Sequence, residues 1–302
     1  MGEPVFVVFN PRSGKGRGAG LVAPVLAALA RPGVTVEHAL TAQAGHEAEL
    51  AELAIASGFR KVVAVGGDGT WCNVANGVLR SGQPAVLGLI PGGTGCDLAK
   101  SLGIPRQDVA ACASIIHDGA VRAIDVGRIE GRYFLNCAGF GYDIAVLEDS
   151  WRVKWLQGEL LYLYCALKQL HSYRGLTVEV EADGQGRGRR ELLMLILANG
   201  RVFGGGFKIA PGADLGDGRL DVSSFGNAGL ARRLGLLVGL LRGTHAKSPA
   251  VESFLGSHFR LRFDRPPAYE TDGEWNQAQS AELTVETLPG ALRVLVPPSS
   301  SA

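Results

Sequence analysis

In the first 120 residues, each short run of β-branched and apolar residues is followed by a turn of small or polar residues and then by a helical pattern. Val5 to Phe9, Val34 to Leu40, Lys61 to Val65 and Ala85 to Ile90 read as strands. Gly18 to Ala30, Glu47 to Ser57, Trp71 to Arg80, Leu98 to Leu102 and Asp108 to His117 read as helices. Such alternation predicts a parallel sheet with both faces covered, because a helical crossover brings the chain back to start the next strand in the same direction. From about Ala120 the pattern becomes strand-rich with hairpin-like turns: Val121 to Ile129, Arg132 to Cys137, Leu176 to Ala182, Glu191 to Asn199, Leu220 to Phe225, Phe259 to Phe263 and Ala281 to Glu286. Two helical stretches, Trp151 to Tyr173 and Leu230 to Leu241, interrupt it. A second, mostly antiparallel β domain is expected, with a boundary near Asp125 to Gly127. Residues 1–126 form the first domain on this reading and 127–288 the second. The last strand, Leu292 to Val296 within 289–297, can add to either sheet, including a return to the first domain. No Pro- or Ser-rich linker separates the two, so they are expected to pack closely across a cleft.

Glycine is the unusual component: 43 of 302 residues, roughly twice the usual share. With 46% hydrophobic and 20% charged residues the chain has enough apolar sequence for a sizeable core, so the glycines belong to tight backbone positions. Thirty Lys and Arg against 29 Asp and Glu leave a net charge of +1, which offers no field to attract a nucleic acid. Five dispersed cysteines without a CxxC pair fit a reducing compartment, and no HExxH or HxxxH pair signals zinc. The N-terminus reads as a strand rather than a signal peptide, and no apolar run approaches the roughly 18 residues of a membrane span. A soluble, cytoplasmic chain is expected.

The turns after the strands of a parallel sheet bear on function, since ligands bind beyond the carboxyl ends where helix N-termini converge. The first strand leads to Asn10-Pro11-Arg12-Ser13-Gly14-Lys15-Gly16, the second to Thr41, the third to Gly66-Gly67-Asp68-Gly69-Thr70 and the fourth to Pro91-Gly92-Gly93-Thr94-Gly95-Cys96-Asp97. Glycine there lets phosphates approach main-chain N–H groups. One such turn is ordinary in an α/β protein; four at one edge point to a phosphate-bearing ligand. A Walker A loop fails, because Gly14-Lys15 is followed by Gly16 and the required glycine is Phe9. The dinucleotide fingerprint is also missing after the first strand.

Asn10-Pro11 with Ser13-Gly14, Gly66 to Thr70, and Pro91 to Ala99 together resemble the lipid kinase family with a diacylglycerol kinase catalytic domain, whose relatives include sphingosine and ceramide kinases. The resemblance runs on through Asp125-Val126-Gly127, Asn136 to Gly141, Asn199-Gly200, Gly204 to Gly206, Pro211, Asp217-Gly218, Leu220-Asp221 and Asp272-Gly273-Glu274, and so covers nearly the whole chain. Gly66 to Thr70 alone is shared with NAD kinases and is similar to a phosphofructokinase motif; the ordered set is far more specific. The resemblance implies an N-terminal α/β domain of the NAD kinase and phosphofructokinase type, with a mostly parallel sheet, followed by a mostly antiparallel β-sandwich. It further implies an ATP- and Mg²⁺-dependent kinase acting on a hydroxyl of diacylglycerol or a related lipid, with both substrates meeting in the interdomain cleft.

By the same resemblance, Thr41, Gly66, Gly67, Asp68, Gly69, Thr70, Trp71, Cys72 and Thr94 bind nucleotide, with Asn10, Pro11, Arg12, Ser13, Gly14 and Lys15 alongside. Asp68, an ordinary helix cap in isolation, would repel ATP phosphates unless a cation bridged them. Asp68, Asp97 and Asp125 are the implied carboxylate and water network for Mg²⁺. A second, structural Mg²⁺ is implied at Asp217, with the carbonyls of Asp214 and Arg219, although a plain Asp-Gly turn explains the same residues. The nucleophile activator maps to Asp272-Gly273-Glu274, also readable as a hairpin turn. Glu274 is favoured as the base and Asp272 as its orienter or Mg²⁺ partner; two acids one residue apart leave the reverse open. The family's usual Asn is Cys96 here, which removes a hydrogen-bonding amide. Trp151 to Tyr173 mixes aromatic, apolar and basic residues as a membrane interface does, and Arg232, Arg233, Leu236 and Leu237 raise the same question. Peripheral membrane contact is expected, and a homodimer stays open. The rival functions are an NAD kinase and a non-catalytic lipid- or nucleotide-binding protein on the same fold.

Overall fold

Four strands form at the N-terminus, β1 (Val5–Phe9), β2 (Val36–Leu40), β3 (Lys61–Gly66) and β4 (Val86–Pro91), in a computed structural model that describes residues 2–43 and 45–298. β1 pairs in parallel with β2 and β3, and β3 with β4. The end of the last strand, β15 (Glu282–Val296), adds in parallel outside β4 through Arg293 and Val294, giving the order β15-β4-β3-β1-β2. Val62 to Val65 of β3 are fully buried, as a strand covered on both faces requires. The helices are a single irregular turn α1 (Ser13–Gly16), then α2 (Val22–Leu29), α3 (His46–Ala56), α4 (Asp68–Arg80), α5 (Asp97–Leu102) and α6 (Val109–Asp118). α3 packs on α4 and α2 on α6. A Cβ at Gly77 of α4 would lie 2.2 Å from the carbonyl oxygen of Ala48 in α3, so the close approach of these helices requires a glycine in mid-helix. Residues up to Ile124 and from Gly290 onward make up this first unit; Asp125–Pro289 make up the second.

The second unit is a β-sandwich with helices on one side. Its strands are β5 (Ala120–Ile129, shared with the first unit), β6 (Arg132–Phe134), β7 (Cys137–Gly141), β8 (Leu176–Ala182), β9 (Gln185–Ala198), β10 (Leu220–Gly226), β11 (Val251–Gly256), β12 (His258–Phe263), β13 (Ala268–Thr271), β14 (Glu274–Gln277) and the first part of β15. The pairings here are antiparallel. β9 pairs with β8 along its first half, and with β7 and β10 along its second; β13 pairs with β7 and β14, and β12 with β8 and β15. Alternation along β7 and β9 sorts the core. Phe140, Leu195 and Leu197 join Phe134, Phe259 and Val285 between the sheets. Cys137, Met194 and Ile196 face the other way, against α7 (Tyr142–Arg152), α8 (Glu159–Ser172) and α9 (Leu230–Arg242).

Three local expectations change. The strand expected over Arg132 to Cys137 is two, because the amides of Leu135 and Asn136 turn aside to the Asp272 carboxylate (2.7 and 2.8 Å). The helix expected over Trp151 to Tyr173 is likewise two, α7 having begun at Tyr142 and α8 restarting after Gly158, whose φ of 70° favours glycine. Ala281 to Glu286 and Leu292 to Val296 belong to one strand, β15. Among the described residues no helix is long and apolar enough to cross a membrane, and all five cysteines are free and buried.

Candidate active site

At the carboxyl edge of the first sheet three glycine turns stack backbone on backbone. The amides of Gly92 and Gly93 donate to the Gly66 carbonyl (2.7 and 3.0 Å). A Cβ on Gly93 would lie 2.3 Å from the Gly67 Cα, and one on Gly14 2.5 Å from the Gly92 oxygen, so any side chain would part the turns. Gly14, Lys15 and Gly16 are consecutive left-handed residues (φ 57°, 60° and 92°) that fold the first turn back over the edge. Asn10 ties the turn down: its amide donates to Glu47 Oε1 and Thr70 Oγ1 (both 3.0 Å), and its Oδ1 accepts from the Arg12 amide (3.0 Å). The buried Glu47 is a contributor that sequence spacing does not reveal. Thr41, also buried, is fixed by its amide on the Phe9 carbonyl (2.8 Å).

α4 starts at Asp68 behind an extended Gly67, so the positive end of a 13-residue helix faces these turns. Trp71 and Cys72 of its first turns are fully buried and the Trp71 amide donates to the Gly67 carbonyl (3.0 Å), so both support the turn from within the core. Asp68 Oδ1 accepts from the Leu98 amide (3.1 Å) and caps α5 from outside that helix. Cys96 cannot cap it; it is left-handed (φ 49°), a conformation that Asn tolerates and other residues adopt at a cost of about 1–2 kcal/mol. Burial, and then the charge of Asp68, push its thiol up to about 12. Arg17 donates to the Gly14 carbonyl (3.0 Å) and Arg106 to the Thr94 carbonyl (3.0 Å). Arg17 and Arg106 both line a cavity of about 240 Å³ beside Gly92 to Thr94, two cations that lie outside the quoted motifs.

Of the carboxylates expected to hold Mg²⁺, Asp68 and Asp97 meet within the first unit. A Cβ at Gly95 would stand 3.2 Å from Asp68 Oδ2 and 3.5 Å from Asp97 Oδ2, so both acids approach one side of a residue lacking a side chain. One or two carboxylates, completed by phosphates and water, suit Mg²⁺, and Asp97 is buried and paired with Lys100 (2.9 Å). The expected third member, Asp125, belongs to the second unit, where its Oδ2 accepts from the Gly218 amide (2.6 Å). Among the described residues no group of three His, Cys, Asp or Glu side chains is arranged to hold a metal ion. In the turn expected to hold a second ion, Asp214 accepts from the Gly216 amide (3.1 Å) and Asp217 from that of Arg219 (3.0 Å). Burial, then the charge of Asp217, push Asp221 up to about 6.

In the second unit Asp272 and Glu274 have unlike surroundings. Asp272 is buried and left-handed (φ 51°), and its carboxylate accepts the amides of Leu135, Asn136 and Cys137 at 2.7, 2.8 and 2.9 Å. It anchors the start of β7. Glu274 is exposed, as the first residue of β14. Behind the turn lies a pair of acids absent from the motif reading. Glu270, opposite Gly139 in the β13–β7 ladder, accepts from the Gly273 amide (2.6 Å) and from the Cys137 thiol (3.5 Å). A Cβ at Gly139 would lie only 2.0 Å from Asp143 Oδ2, so glycine makes room for that second buried acid. Neither Asp143 oxygen makes a well-formed hydrogen bond, although the amides of Asp143 and Ile144 favour its charged form. Burial pushes Asp143 up to about 7, and burial, then the charge of Asp143, push Glu270 up to about 8. Two buried acids this close retain a proton near neutrality.

Residues 4–129 match the family described as the diacylglycerol kinase catalytic domain, and residues 136–296 match the YegS C-terminal NAD kinase beta sandwich-like domain. The chain is 32% identical to a diacylglycerol kinase of Bacillus subtilis, over 89% of each chain. It is 34% identical to a protein of Pseudomonas fluorescens named probable lipid kinase YegS-like, over 86% of this chain and 85% of that one. A solved diacylglycerol kinase structure from Bacillus anthracis superposes with a TM-score of 0.74 at 22% identity, over 98% of this chain and 97% of that one, a likeness of fold. By sequence over both units, the chain belongs to the family of kinases with a diacylglycerol kinase catalytic domain and a YegS-type C-terminal β-sandwich.

Proposed function

We propose that this protein transfers the γ-phosphate of ATP to a hydroxyl of diacylglycerol or a related lipid alcohol. The observation that carries the reading is the stack of Gly14, Gly67 and Gly93 main chains at the N-terminus of α4, where main-chain N–H groups and a helix dipole suit a polyphosphate. Asp68 and Asp97 would hold Mg²⁺, which supplies neutralisation of the phosphate charge when bound. Asp125 is left to the Gly218 turn in this reading. The acceptor oxygen bonds to the γ-phosphorus, the bond from phosphorus to the β,γ-bridging oxygen breaks, and the acceptor proton passes to Glu274. Glu274 is favoured over Asp272 because three amides already occupy the Asp272 carboxylate.

Incubation with Mg-ATP and diacylglycerol micelles is expected to yield phosphatidate. No product from diacylglycerol or from a panel of other lipid alcohols would sink the proposal. Phosphorylation of NAD in a parallel arm would favour the NAD kinase rival, and ATP binding without turnover on any acceptor a non-catalytic protein.

A further inference from the structure

Glu274 is aimed by its main chain. The side chain is exposed, and among the described residues no group hydrogen-bonds or ion-pairs with its carboxylate, so it points where the turn sends it. Thr271 and Glu274 are directly opposed across the β13–β14 hairpin, and the two residues joining them, Asp272 and Gly273, are both left-handed (φ 51° and 83°), as a two-residue turn matched to strand twist requires. The Gly273 amide lies outside the ladder. Glu270 takes it: Oε2 accepts from the Gly273 N–H at 2.6 Å. On the other side, the Glu274 carbonyl accepts from Asn276 Nδ2 (2.8 Å), which also reaches Thr271 Oγ1 (3.2 Å). The main chain is thus tied just before and at Glu274.

Glu270 stands directly opposite Trp275 in the ladder, so these two side chains leave the hairpin on one face and Glu274 leaves it on the other. α7 meets the first face. Asp143 lies behind Glu270 across Gly139, Glu148 Oε1 accepts from the Trp275 indole N–H (3.1 Å), and Trp151 meets Trp275 edge to face at 6.5 Å. Two enclosed carboxyls are a costly way to fill a core; the contact that leads from them towards the chemistry is the bond to Gly273. We propose that Glu270 is a positioning residue for the transfer step: by holding the Gly273 amide it fixes the turn that presents Glu274, while Glu148 braces the same hairpin through Trp275. A displacement of about 1 Å at a reacting group costs on the order of 10²-fold in rate. The inference rests on the kinase reading with Glu274 as the base.

The test compares steady-state turnover of Mg-ATP and diacylglycerol by the wild-type chain, Glu270→Ala and Glu270→Gln, each well below its melting temperature. Glu270→Ala should lose about 10²-fold in kcat with KM for ATP unchanged. Glu270→Gln, whose amide oxygen still accepts from Gly273, should recover most of that loss. Glu148→Ala should show a smaller loss of the same kind, and it carries the test if Glu270→Ala does not fold. A second readout needs no turnover: in protein labelled with 5-fluorotryptophan, whose four ¹⁹F signals come from Trp71, Trp151, Trp155 and Trp275, Glu270→Ala should shift or broaden the Trp275 signal and leave that of Trp71 in place. Equal kcat in Glu270→Ala and wild type, a Glu270→Gln variant as slow as Glu270→Ala, or a Trp275 signal that does not respond would each overturn the positioning role. Wild-type protein inert on every lipid acceptor would instead break the kinase reading, and the role with it.

Discussion

The two units carry their chemistry in opposite ways. In the first, polar work falls to main chain: Gly14, Gly67 and Gly93 remove side chains so that three turns can touch at a helix N-terminus. In the second it falls to buried carboxyls, with Asp272 collecting three amides and Glu270 and Asp143 enclosed around Gly139. Glycine turns hold geometry by closeness, and any added atom disturbs them. Buried acids hold it by charge and protons, so pH and isosteric substitutions disturb them.

The largest effect that separates the two is expected at Glu274→Gln, which should lower turnover by about 10²–10⁴-fold while the melting temperature stays put. Unaltered turnover in a steady-state assay would remove Glu274 from the chemistry. Asp272→Ala should instead cost stability, about 3 kcal/mol or more, because three main-chain amides lose their acceptor. Urea unfolding measures this, and a change under 1 kcal/mol would show that the anchor is dispensable.

The acid pair makes the second unit sensitive to pH, with a definite sign. Glu270 and Asp143 are raised above the ordinary values of 4.5 and 3.8, so the folded chain keeps a proton that the unfolded chain releases. Their contribution is fully present below about pH 4 and is lost as pH rises toward the folded values of about 8 and 7, by on the order of 1 kcal/mol per unit. Glu270→Gln should flatten that slope in unfolding curves taken across the window; an equally steep slope would clear the pair of the effect. In the first unit, Gly93→Ala should cost about 1–3 kcal/mol by overpacking against Gly67 and weaken ATP binding. Gly235→Ala, where nothing lies within 4 Å, is the control and should stabilise by up to about 1 kcal/mol. The smallest change is Cys96→Asn, expected to gain up to about 1 kcal/mol by suiting a left-handed residue. A loss of stability there would mean that the thiol's contact with the Gly66 carbonyl matters more than backbone strain.

Legibility in the sequence divides along the same line. The βα alternation and its glycine turns are made of consecutive residues, so the class of fold and the crowding at one sheet edge are visible in the sequence. Contacts that cross it are not: Asn10 reaches Glu47, Asp68 caps a helix at Leu98, and Arg17 and Arg106 lie beside one loop. The acid pair is less visible still, since residues 139, 143 and 270 meet only through the register of β13 on β7. The split of Arg132 to Cys137 has the same origin, a carboxylate more than 130 positions away in the chain. Periodicity reports local faces; it cannot report which distant acid will draw off a strand's amides.

β15 has a consequence for how such a chain is made. Its early residues complete the second unit against β12, and Arg293 and Val294 then provide the outer neighbour of β4 in the first. A ribosome therefore releases the sheet of the first unit with one flank unpaired and holds it so until residues 293 and 294 have been synthesised. A fragment ending near residue 129 keeps that flank open for good and is expected to aggregate when expressed alone. Supplying residues 282–296 as a separate peptide is the corresponding rescue.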